Sequence, residues 1–225
     1  RFFIEQLPEN DRYFILAPLL VKCSIHTNTS GQFAAFYKKD GVGHYGGKTE
    51  TDVKRITTKI VLPMPIFSPR SCKTYVSQKD TNQWVKQIPD MDVVYYDPPY
   101  NKHPYSIYYF MLEMINNWDT TQKIPDTLRG QPKNWLKSSW NSFTHAKKTF
   151  EDLIEHTRSK YILVSYNDGG IIPLDEINRI LSKKGKVERI PIEHNVYNRM
   201  KGIANYKRKK KQSKVKEFIW LVRLC

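Results

Sequence analysis

Apolar positions along this chain recur with two periods, and their alternation sets the expected fold. From Asp11 to Cys23, residues Tyr13, Phe14, Leu16, Ala17, Leu20 and Val21 fall at helical spacing, with Pro18 inside the stretch as a kink or boundary. Phe150, Leu153, Ile154 and Thr157 share one face of a second, clearly amphipathic helix. Leu174–Leu181 is helical again, and Asp175 and Glu176 favour its N-terminus. Between these lie short apolar runs rich in β-branched and aromatic residues. Met91–Tyr96 and Tyr161–Ser165 read as buried strands, and Lys186–Ile192 and Phe218–Leu224 as two later ones. Lys73–Ser77 fits a short strand, Thr81–Gln87 a short helix, and Ser106–Trp118 a helix carrying Tyr109, Leu112, Met114 and Ile115. Strands alternating with helices predict an α/β layer with a largely parallel sheet.

Polar segments interrupt this order. Gly41–Gly47 holds four glycines and reads as a loop, and Pro63, Pro65 and Pro69 argue against regular structure after it. Lys38–Arg70 is therefore a basic, irregular insert, and Asp119–Asn141 a further polar loop. Arg199–Lys216 carries nine lysines and arginines and no acid.

Composition narrows the partners. Of 225 residues, 37 are basic and 22 acidic, giving a formal net charge of +15, which favours phosphate backbones or anionic membrane surfaces. No apolar run reaches bilayer length and Arg1–Glu5 is no signal peptide, so the balance moves to nucleic acid and away from membrane. Cys23, Cys72 and Cys225 are odd in number, widely spaced and unpaired in any metal-ligand spacing, so they read as free thiols in a reducing compartment. The six histidines likewise form no ligand pair, and no metal site is expected.

The strongest chemical signal is a strand running directly into Asp97-Pro98-Pro99-Tyr100. In open parallel sheets, ligands bind outside the carboxyl ends of the strands. The parts suit transfer to an exocyclic amine. An aromatic amine's lone pair is delocalised into its ring, so the nitrogen is a poor nucleophile. Acceptors for its two hydrogens, the Asp97 carboxylate and the Pro98 carbonyl, would draw it towards tetrahedral geometry and stabilise the developing positive charge. The prolines stiffen the turn so that both acceptors are placed in advance. Tyr100 offers a ring for a base turned out of its stack. A plain strand-to-loop turn would use the same residue types, and placement after an apolar strand favours the chemical reading.

Asp97-Pro98-Pro99-Tyr100-Asn101, followed by Tyr105, Tyr109, Leu112-Glu113 and Ile115, resembles the signature of Dam-type adenine-N6 DNA methyltransferases, especially those of type II restriction–modification systems. Other segments fit in the same order. They are Asn28-Thr29-Ser30-Gly31 with Phe33, Ala35 and Phe36; Phe150-Glu151-Asp152-Leu153-Ile154 leading to Tyr161–Asn167; and Glu217-Phe218-Ile219-Trp220-Leu221.

The resemblance implies a Rossmann-like methyltransferase sheet, mostly parallel with its last strand antiparallel. It implies S-adenosyl-L-methionine as cofactor, and Asp97, Pro98, Pro99 and Tyr100 as catalytic residues. Asp80 and Thr81, with Asp97, would lie against the cofactor, although Asp80 also fits a helix N-cap. Double-stranded DNA is the implied substrate. Tyr105, Arg199, Lys201, Lys207, Arg208, Lys209, Lys210 and Lys211 are its expected contacts, and 38–70 the expected target-recognition insert. Arg129, Lys133, Trp135, Lys137 and Trp140 of the second polar loop are further contacts to consider.

The family's opening glycine-rich strand-to-helix turn has no counterpart here. The expectation is therefore a single catalytic domain over 1–225, incomplete at its N-terminus, with the cofactor half on an absent segment or on a partner chain. A cognate restriction endonuclease and a bacterial or viral cytoplasm are implied by the same resemblance. Two alternatives stay open: a non-catalytic nucleic-acid-binding subunit or remnant, favoured by the charge, and a methyltransferase acting on RNA adenine or a protein glutamine amide, whose relatives commonly carry Asn where Asp97 stands.

Overall fold

The structure, a computed structural model, describes residues 1–26, 38–40, 42–43, 53–121, 123, 127, 136–194 and 215–224. These fall into two compact units, one built from 1–73 and 105–136, the other from 74–104, 137–194 and 215–224.

The first unit is mainly helical. Its long helix, Glu9–His26, continues past Pro18, so the proline forgoes one backbone hydrogen bond without ending the element. The expected helix after residue 106 is two, Tyr105–Tyr108 and Phe110–Asn117, separated at Tyr109. Ile4, Leu16, Ile107 and Phe110 are the buried apolar residues of this unit. In the basic insert, Lys38–Lys39 pairs antiparallel with Val42–Gly43 across a turn in which Asp40 has φ 52°. A short helix, Val53–Thr57, follows, and 59–80 carry no regular structure. The short strand expected at Lys73–Ser77 is thus an irregular segment, not a strand. Within the same insert, Phe67 packs edge-on against Phe14, ring centroids 5.2 Å apart.

The second unit holds the sheet. Strands β1 (Met91–Tyr96), β2 (Ser159–Asn167), β3 (Gly185–His194) and β4 (Val215–Leu224) lie in the spatial order β1-β2-β4-β3. β1 and β2 are parallel, with Val94 opposite Ile162 and Tyr96 opposite Val164. β4 is antiparallel to both of its neighbours. Three strands therefore share one direction and the last opposes them from between β2 and β3.

Among the described residues, one face of the sheet is more fully covered than the other. Alternation along β2 buries Ile162, Val164 and Tyr166, which lie opposite Val222, Trp220 and Phe218 of β4. These six form the core with Phe150, Leu153 and Ile154 of helix α1 (Ala146–His156) and Ile177, Ile180 and Leu181 of helix α2 (Leu174–Ser182). The opposite face is more open. Met91, Val93 and Tyr95 are 41%, 50% and 58% exposed, so β1 is not the fully buried strand its apolar run predicts. These three share one face by period-two alternation, whereas Tyr96, on the other face, packs against the core. Among the described residues, no helix is long and apolar enough to cross a membrane.

Candidate active site at the Asp97–Tyr100 turn

β1 delivers Asp97 at its carboxyl end, two residues beyond Tyr95 and so on the same open face. Pro98 behind it is buried. Neither proline has an N–H to satisfy, and each fixes its own φ, so the turn leaves the sheet on a restricted path. The far end of the turn is tied down through the backbone, where the Tyr100 carbonyl accepts a hydrogen bond from the Ile171 amide at 2.9 Å.

The Asp97 carboxylate is held on one side. Its Oδ1 accepts from the Tyr100 hydroxyl at 2.6 Å and from Ser165 Oγ at 3.1 Å, the serine projecting from β2. The Tyr95 hydroxyl lies 2.8 Å from the same Ser165 Oγ. Oδ2 takes no hydrogen bond among the described residues, so its lone pairs are left to accept from an incoming N–H. Burial, then the hydrogen bond to Asp97 and its negative charge, push the Tyr100 phenol above the ordinary tyrosine range. Tyr100 is therefore a neutral donor at any working pH.

Packing orients the Tyr100 ring. It stands perpendicular to Tyr166, centroids 5.2 Å apart, a favourable edge-to-face pair. Tyr166 is 1% exposed, and its hydroxyl accepts from the Ile172 amide at 3.1 Å. Asp168-Gly169-Gly170 is the turn its composition suggests, with Asn167 Oδ1 accepting from the Gly169 amide at 3.0 Å. Gly170 has a second reason to be glycine, because a Cβ there would fall 2.1 Å from Tyr166 Cε1. The segment after the motif is anchored by Asn141, whose Nδ2 donates to the Asn101 carbonyl at 2.8 Å. Asn141 follows Trp140, which is buried edge-on against Phe150 and so serves the core.

The other sequence candidates are placed as follows. Asp80 caps the helix Thr81–Trp84, accepting from the Gln83 amide at 3.0 Å through Oδ1. The cap reading thus holds, and Thr81 sits exposed as the first helical residue. This helix is pinned by buried Asn82, which donates to the Thr149 carbonyl at 2.9 Å and to Asp152 Oδ2 at 2.6 Å, both on α1. Tyr105 belongs to the other compact unit, exposed and 5.7 Å from the Tyr109 ring. Arg199, Lys201, Lys207, Arg208, Lys209, Lys210 and Lys211 lie outside the described residues, as do Arg129, Lys133, Trp135 and 28–36.

The structure thus brings Asp97, Pro98, Pro99 and Tyr100 into one arrangement and adds Ser165, Tyr95, Tyr166 and Gly170, which the sequence reading does not single out. Period-two alternation puts Tyr95 and Asp97 on one face, but the pairing that brings up Ser165 spans 68 residues and has no local signal.

Comparison with known proteins places this geometry. The model of the D12 class N6 adenine-specific DNA methyltransferase family matches residues 25–178, which include the whole Asp97–Tyr100 turn and Ser165. The type II methyltransferase M.NlaIII of Neisseria lactamica is 28% identical over 218 residues, covering 96% of this chain and 59% of that protein. The modification methylase StsI of Streptococcus sanguinis is 29% identical over 79% of the chain and 25% of its own length. The modification methylase LlaI of Lactococcus lactis subsp. lactis is also 29% identical, over 82% of the chain and 28% of its own length. The chain therefore spans about three fifths of the first of these relatives and about a quarter of the other two. No solved structure matches it.

Proposed function

The chain belongs to the D12 class of N6 adenine-specific DNA methyltransferases, and on that premise we propose that its Asp97–Tyr100 turn receives an adenine extruded from double-stranded DNA for methylation at N6. The observation that carries the proposal is the one-sided tethering of Asp97. Two hydroxyls hold Oδ1, and Oδ2 is left to accept from an amine.

The residues do the following. Asp97 Oδ2 and the Pro98 carbonyl accept the two amino hydrogens and hold the nitrogen with its lone pair directed away from the ring plane. The buried Pro98 and the Tyr100–Ile171 backbone bond fix both acceptors before the base arrives, so little reorganisation is needed during reaction. Tyr100 presents a ring for the base to stack on. Its hydroxyl, kept neutral, continues to donate to Asp97 while positive charge develops on the nitrogen. The product amine then loses a proton to solvent, so no titrating base is required.

The donor set also fits S-adenosyl-L-methionine. Asp80 spends Oδ1 on its helix cap, and no hydrogen bond among the described residues engages Oδ2, so it suits the amino group of the cofactor's adenine. Asp80, Thr81 and Asp97 are the residues assigned to hold the cofactor, which supplies an electrophilic methyl on a sulfonium. We read 1–225 as part of one catalytic domain with a Rossmann-like sheet and 38–70 as its target-recognition insert. The basic run 199–216 neutralises DNA phosphates, in keeping with the net charge of +15. A bacterial or viral cytoplasm suits such an enzyme.

Asp97→Ala tests the proposal. It is expected to lower the initial rate of methyl transfer to DNA about 10²–10³-fold, the scale of losing one preorganised charge-stabilising contact. An unchanged rate would remove Asp97 from the chemistry.

A further inference from the structure

The geometry points to Ser165 as a positioning residue for Asp97, itself oriented by the Tyr95 hydroxyl; this inference rests on the functional reading above. The direction of the hydrogen bonds follows from valence. A serine hydroxyl carries one hydrogen, and that of Ser165 goes to Asp97 Oδ1 at 3.1 Å. In the 2.8 Å contact between Tyr95 and Ser165, Tyr95 must therefore be the donor. The result is a directed relay, Tyr95 to Ser165 to Asp97, joined at Oδ1 by the Tyr100 hydroxyl.

Two donors at one carboxylate oxygen do something that one cannot. With Tyr100 alone, the carboxylate could still swing about its Cβ–Cγ bond and carry its free oxygen away from the amine. Tyr100 closes the motif itself, and Ser165 comes from the neighbouring strand, so the carboxylate is restrained through two separate segments. Oδ2 is then the one oxygen directed at the amine.

Ser165 is well placed for this. Its neighbours Val164 and Tyr166 are 0% and 1% exposed, and its own backbone is in register with Ile219 of β4. The core therefore sets the position of Oγ, while the side chain lies on the open face with Tyr95 and Asp97. A site borne on a packed strand holds its geometry better than one on a loop. Tyr95 is 58% exposed, and its hydroxyl is committed to the serine, which accounts for a large aromatic on this face without assigning it to the core.

The test compares Ser165→Ala, Ser165→Thr, Tyr95→Phe and Asp97→Ala in the intact protein, with kcat and KM for DNA taken from initial rates of methyl transfer. Ser165→Ala should lower kcat about tenfold to a hundredfold, the scale of one hydrogen bond to a charged group, and leave KM for DNA close to that of the parent. Ser165→Thr keeps the hydroxyl and should recover most of the loss, a rescue that a merely structural role would not give. Tyr95→Phe, at an exposed position without risk to folding, should give a smaller loss in kcat alone. Parent kcat in Ser165→Ala, or a Ser165→Thr variant as impaired as Ser165→Ala, overturns the relay. If Asp97→Ala is inactive while Ser165→Ala is unimpaired, only the relay fails. If Asp97→Ala transfers methyl like the parent, the functional reading fails and takes the relay with it.

Discussion

Replacing Tyr100 by phenylalanine removes a single atom from the site, the hydroxyl oxygen 2.6 Å from Asp97 Oδ1, and leaves the ring against Tyr166. A hydrogen bond to a charged group is worth about 1.5–3 kcal/mol. The lower end applies here, because Ser165 still donates to the same oxygen and Tyr100 is only half-buried, so the charge is not left bare. About 1.5 kcal/mol corresponds to roughly a tenfold fall in rate. Tyr100→Ala loses the hydroxyl and the ring together. Base stacking on an aromatic is worth about 1–3 kcal/mol, so alanine should cost roughly a further five- to 150-fold. Both variants would be compared in methyl transfer at saturating S-adenosylmethionine, with thermal unfolding followed alongside to register loss of the Tyr166 contact. Parent activity in Tyr100→Phe would show that the hydroxyl does not help to hold Asp97. Equal activities of the phenylalanine and alanine variants would show that the ring is not a stacking surface.

Gly170→Ala is expected to destabilise the protein by about 1–3 kcal/mol in denaturant titration, because its Cβ would meet Tyr166 Cε1 at 2.1 Å, and unchanged stability would contradict that close approach. Burial raises the phenols of Tyr96, Tyr100 and Tyr166. Their neutral forms are favoured in the fold, so this contribution is complete below the ordinary tyrosine value of about 10 and is lost as pH climbs from there towards the folded values. Unfolding midpoints should fall above about pH 10, and a flat profile there would refute the burial of these rings. DNA affinity should drop steeply with salt, and exchanging Lys207, Arg208, Lys209, Lys210 and Lys211 for glutamine should flatten the log–log slope by up to about 4.5. An unaltered slope would remove the basic run from the interface.

What the sequence disclosed depended on how local each signal was. Asp97-Pro98-Pro99-Tyr100 is contiguous, so its position at a strand end could be read directly, as could the Asp80 cap and the amphipathic face of α1. The antiparallel last strand came with the family resemblance and is present as β4. Met91–Tyr96 misled, because an apolar, β-branched run looks the same whether one face or both are covered, and the face bearing Met91, Val93 and Tyr95 is exposed. Lys73–Ser77 has strand-forming residues but is not a strand, because composition reports propensity and not pairing. The holding of Asp97 by Ser165 depends on the register of two strands and on side chains 68 positions apart. The need for glycine at 170 has no local signal, because the ring it accommodates belongs to Tyr166, four residues back along β2.

The most direct test is to incubate the intact protein with methyl-labelled S-adenosylmethionine and unmethylated double-stranded DNA, and to identify the labelled nucleoside. Label in N6-methyladenine, absent from the Asp97→Ala variant, is the expected result. Salt-sensitive DNA binding by the folded protein with no label in adenine would contradict the central claim and make the chain a nucleic-acid-binding relative of these enzymes.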